Sequence, residues 1–156
     1  AGDVSFSETV SAATSQLLPV GLHFDVTCSS VTAGGQTVVL PPLLWAWYAL
    51  LARALIRSWG VGGFLRYAEV DPQELLRLYG DCAGRMSAEY IQLEQQIVRD
   101  RALDDAFFMQ KNSKLKRALK SALGLDATPY LPATQGSKGS TRHGLQVAVS
   151  RITGID

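Results

Sequence analysis

A chain of 156 residues, 47% hydrophobic and 19% charged, fits one folded domain and needs no second core. The charged share lies below the ~25% of an ordinary soluble domain, so apolar surface is left over to meet other subunits. The net charge of +1 hides a polarity: residues 1–52 hold three acids (Asp3, Glu8, Asp25) and no Lys or Arg, and the remainder holds all fifteen cations against eleven acids. Such polarity suits a ring or stack in which one copy's basic end meets an acidic or phosphate surface.

The opening Ala-Gly-Asp has neither a basic stretch nor an apolar one, so no secretory signal is expected, and Ala1 reads as a start after methionine removal. Ser5 and Glu8 form a capping box before Val10, Ala13 and Leu17, which predicts a short first helix ending at Pro19. Leu22–Thr27 and Gln36–Leu40 favour strands, and with the Ser/Thr/Gly-rich segment between them they read as a small hairpin, about residues 22–40, with a loose loop.

From Pro42 onward Leu44, Tyr48, Leu51, Leu55 and Trp59 mark a helix, but Leu43, Trp45, Trp47 and Leu50 make it apolar nearly all round. Such a helix must be enclosed, and it falls short of the ~20 residues needed to span a bilayer. Glycines 60, 62 and 63 end it. Asp71-Pro72-Gln73-Glu74 is the clearest helix start in the chain, with Asp71 as cap and Pro72 in the first turn. Behind it Leu75, Tyr79, Cys82, Met86, Tyr90, Leu93 and Ile97 hold one stripe, which predicts a single long helix of about thirty residues. Gly80 and Gly84 inside it imply close approach of another helix in preference to a kink. Cys82 on that stripe, and Cys28, read as small buried hydrophobes without a disulfide.

Asp104-Asp105 opens a further helix with acids at its positive end, Phe107, Phe108, Leu115, Leu119 and Leu123 supply its apolar face, and Gly124 closes it. Its outer positions carry Lys111, Lys114, Lys116, Arg117 and Lys120 with no acid among them, enough for several phosphate contacts. No aromatic stands among these cations to stack on a base, so duplex backbone is the more natural partner. A solvated helix face is the plain alternative.

After Asp126 the composition changes. Residues 127–144 hold Pro, Gly, Ser and Thr with almost nothing to bury, and Leu145–Ile152 then alternates as a strand. The fold expected is therefore mainly α: a helical bundle over 1–125 with a long central helix and a β-hairpin insertion, then an extended C-terminal arm over 126–156 ending in a strand. Deleting residues 127–156 is expected to leave the bundle folded.

Chemistry is sparse. His23 and His143 lack metal-ligand spacing, and residues 60–63 lack the Gly-Lys-Ser/Thr ending of a phosphate loop. His23 reads as an ordinary half-buried strand residue, and His143 as solvated or bound to a partner. No catalytic, cofactor or metal site is expected, and the chain is read as a structural protein.

The order of elements, Val70–Leu103, Asp104–Gly124 and the arm Ala127–Asp156, resembles the head-tail adaptor (connector) proteins of tailed bacteriophages. That resemblance implies a virion component assembled in the host cytoplasm, whose copies form a ring beneath the portal around passing DNA. The arm would dock on the portal through Tyr130, Leu131, Leu145, Val147, Val149 and Ile152, joined by Arg142 and Arg151, and the lysines would line the lumen. A coat subunit that holds nucleic acid by the basic helix, and a cellular helical interaction module, are the alternatives. No membrane is implied.

Overall fold

The computed structural model describes residues 21–58, 62–101, 103–136 and 141–155; the helix read over Ser5–Leu17 lies outside them. Among the described residues four helices dominate and a small sheet packs on one of them.

The sheet begins with β1 (Leu22–Asp25), β2 (Ser30–Ala33) and β3 (Gln36–Val39), paired antiparallel in succession. Where a loose loop was expected, Ser30–Ala33 is the middle strand, because Val31 and Ala33 give it a buried face. The Asp25 carboxylate organises the β1–β2 turn, accepting from the Thr27 hydroxyl at 2.6 Å and the Thr27 amide at 3.0 Å. Gly34 and Gly35 form a tight two-residue turn with φ of +56° and +89°, the left-handed pair that such hairpins require. Cys28 sits exposed in the β1–β2 turn, against the expectation that it is buried.

Helix α1 (Pro42–Arg57) is as enclosed as its composition demands: every residue from Leu44 to Ala52 is buried. Phe24 of β1 lies edge-on to Trp45 and Tyr48, and the Trp45 Nε1–H donates to the Ser30 carbonyl at 3.0 Å. These contacts fix the sheet on one side of α1, and the helix Pro72–Ala83 above all, with the helix Asp105–Leu123 and the strand Arg142–Gly144, packs on it elsewhere.

Helix α2 (Pro72–Ala83) starts as read, with the Asp71 carboxylate accepting from the Gln73 amide at 3.0 Å. The expected thirty-residue helix is, however, two. α2 stops at Gly84, whose φ of +86° breaks the helix, and α3 (Ala88–Asp100) restarts from the Ser87 cap. Met86 falls in the break and is 89% exposed. Gly80 does mark close approach, since a Cβ there would press on Tyr90 of α3. Arg101, left-handed at φ 59°, then separates α3 from α4 (Asp105–Leu123).

Glu74, read only as part of a cap, is buried and gathers Arg53 and Arg57 of α1 and Arg77 of its own helix. Glu74→Gln is expected to cost about 2 kcal/mol by urea unfolding. That is less than the ~3–5 kcal/mol of a fully enclosed pair, because Arg57 and Arg77 are half exposed to solvent screening.

The largest correction concerns the tail. The segment from Gly124 is not an extended arm but is folded onto the chain's own core. A 3-10 stretch over Gly124–Tyr130 buries Ala127 and Tyr130, β4 (Ala133–Gln135) pairs with β5 (Arg142–Gly144), and β6 (Ile152–Thr153) adds to β1 in parallel. Leu145–Ile152 is not a strand: a 3-10 turn at Val149–Arg151 rotates the chain, so Ile152 is buried on the same core as Leu145 and Val147. Gly154, at φ +91°, lies so close to Phe24 that any side chain would collide with the Phe24 carbonyl. The sparse apolar residues of this segment suffice because α1 and the sheet offer a ready surface.

Candidate nucleic-acid interface

The predicted cations stand on α4, and two locks set which way that helix faces. The first is apolar: Phe108, Leu115, Leu119 and Leu123 are buried against the rest of the chain. The second is polar. Asn112 lies on the same stripe, its Oδ1 accepting from the Trp47 Nε1–H at 3.0 Å while its Nδ2 donates to the Phe108 carbonyl at 3.0 Å. Trp47 is also edge-on to Phe107 and Phe108. A buried amide satisfied on both atoms permits one rotation of the helix only.

With that rotation fixed, Lys114, Arg117 and Lys120 point outward and are exposed, while Lys116 and Lys111 flank them half-buried. The Lys111 ammonium lies 5.0 Å from the Phe107 ring centroid, and burial, with Lys114 nearby, lowers its pKa. Ser113, Lys116, Arg117, Lys120 and Ser121 line one shallow groove along the helix. No acid occurs from residue 106 to 125, and among the described residues none of these five cations enters an ion pair. The face is thus an unneutralised cationic strip whose small serines leave room for an anion to approach.

The predicted docking residues gather elsewhere, on the core. Tyr130 is buried and its carbonyl accepts from the Tyr48 hydroxyl at 2.7 Å; burial raises the Tyr48 pKa, so it remains a neutral donor. Leu131 and Val149 pack against the core as partly buried residues, and Leu145, Val147 and Ile152 are within it. Arg142 pairs with Glu69 at 2.6 Å, and Arg151 alone of the set is exposed without a part in the core. His23 is exposed rather than half-buried, bonded to the Thr153 hydroxyl at 2.8 Å, and His143 is buried rather than solvated.

Sequence reading missed Asn112, Glu74 and His143. The spacing 108, 112, 115, 119 places Asn112 on the apolar stripe, a signal that was available. So was the Arg53, Arg57 pair one turn apart on a helix with no acid. Nothing local marked His143.

Among the described residues no group of three His, Cys, Asp or Glu side chains is placed to hold a metal ion, and no helix is long and apolar enough to cross a membrane. No family model matches the chain, and no curated protein or solved structure matches it either.

Proposed function

We propose that this chain is a non-enzymatic structural protein of a virion that holds nucleic acid, double-stranded by preference, through the outer face of α4. The observation that carries this reading is the strip formed by Lys114, Lys116, Arg117 and Lys120, free of acids and held in one orientation by the Trp47–Asn112 bond. Phosphates accept such charge without needing base-specific groups, and the absence of exposed aromatics on the strip favours backbone over stacked bases.

Of the two virion readings, a coat or nucleocapsid subunit needs only this face and lateral packing of copies. A ring-forming adaptor shares the requirement for a basic lumen, but portal docking through an arm is withdrawn from it, since Leu145, Val147 and Ile152 are committed to the chain's own core.

Replacing Lys114, Lys116 and Lys120 together by glutamate is expected to weaken duplex binding at least about tenfold at low salt and to reduce the slope of log affinity against log salt by about 2.7, near 0.9 for each phosphate no longer neutralised. Fluorescence anisotropy with a short duplex measures both. Unchanged affinity and slope in a variant that keeps its helical circular dichroism would reduce the strip to a solvated face.

A further inference from the structure

His143 is 2% exposed, yet neither ring nitrogen finds a hydrogen-bond partner. Its ring stands edge-on to Phe108 with centroids 5.0 Å apart, and its backbone amide and carbonyl both bond to Leu65 at 2.8 Å. The residue therefore lies at the junction where β5 meets both α4 and the strand-like Leu65, in a cage suited to an uncharged ring. No room exists for adjustment on its C-terminal side: a Cβ at Gly144 would strike the backbone of Gly63 and Phe64.

The geometry points to His143 as an acid-operated latch: the neutral imidazole holds Arg142–Ile155 on the core, and a proton taken up by the ring frees that segment. An imidazolium in this cage would present two buried N–H donors, and neither ring nitrogen has a hydrogen-bond partner to receive one.

The charged neighbours do not rescue it. On α4, Lys116 opposes a positive ring and Asp105 favours it, the lysine having the larger effect. On the Leu65 side Arg66 and Glu69 are the charged groups, and Glu69 is already engaged by Arg142 and Arg66. On α1, Arg53 and Arg57 are drawn to Glu74. β4 contributes Thr134 opposite His143 and no charge.

Burial, then Lys116, lowers the ring's pKa below its ordinary 6.5. Between that lowered value and 6.5 the released segment binds a proton that the latched one does not, so the latch is at full strength above 6.5 and weakens as pH falls. The Glu69–Arg142 tie does not sense this window. The Arg66 amide, bonded to the Glu69 carboxylate, keeps that group charged below its ordinary 4.5. Release would expose Leu145, Val147, Ile152 and Ile155, the apolar residues that the segment now buries.

Hydrogen exchange of the full chain, read on peptides covering residues 142–155 and corrected for intrinsic rates, tests the latch. The opening equilibrium is expected to rise about tenfold per pH unit as pH falls below 6.5. His143→Phe keeps an aromatic ring and removes the proton site, so its exchange should stay level across the same window. Unchanged protection of the wild type down to about pH 5 would overturn the proposal, as would an equal loss in His143→Phe. If that variant does not fold, proton NMR of the wild-type His143 ring decides: titration below 6.5 in step with loss of the Val147 amide supports the latch, and titration without that loss refutes it.

Discussion

Truncation after Asp126 is expected to unfold the protein, not to yield a stable bundle. The removed segment contributes Tyr130, Leu145, Val147, Ile152 and Ile155 to the core, and its backbone supplies the carbonyl that receives the buried Tyr48 hydroxyl. Five large side chains at about 1.5–3 kcal/mol each are together of the same size as the ~5–15 kcal/mol by which a domain of this kind is held together. The cut also uncovers residues that remain, Phe24 and Tyr48 among them, so the loss is not confined to what is deleted. Circular dichroism and urea titration of the truncated chain measure the outcome: a cooperative transition at wild-type midpoint would show that the bundle stands without its C-terminal segment.

Trp47→Ala is expected to be the most damaging single substitution. The indole is fully buried, and Trp→Ala at such a site costs about 3–5 kcal/mol for lost burial and cavity. A second cost arises because Asn112 loses the donor to its Oδ1 while remaining enclosed, adding about 1–3 kcal/mol. Trp47→Phe separates the two, since it keeps most of the aromatic bulk and removes the N–H. In a double-mutant cycle with Asn112→Leu, the coupling reports the hydrogen bond. Because that bond sets the rotation of α4, Trp47→Phe should also blunt duplex binding while Lys114, Arg117 and Lys120 are unchanged, a loss visible in the same anisotropy assay.

Much of the helical half of this fold is legible in the residues themselves. Pro42, Asp71-Pro72 and Asp104 begin helices where local chemistry says they should, and the all-round apolarity of α1 announces a helix with neighbours on most sides. Two kinds of information are not local. Periodicity runs through Gly84 without interruption, so the stripe from Leu75 to Ile97 cannot report that the backbone turns between them; the glycine's left-handed φ does. In the same way the segment after Gly124 has too few apolar residues to fold alone, and what it folds onto is built from residues about a hundred positions earlier in the chain. The cationic strip was readable as a cluster, but its commitment to one direction depends on Asn112 meeting Trp47, 65 positions away.

The parallel pairing of β6 with β1 has a consequence for synthesis. Thr153 reaches His23 across 130 positions of sequence, so the sheet cannot be completed until almost the whole described chain has left the ribosome. Until then the outer edge of β1 and the face of α1 beneath it lack this cover, which makes the nascent chain a substrate for holding factors and delays the sheet's completion until Thr153 has emerged.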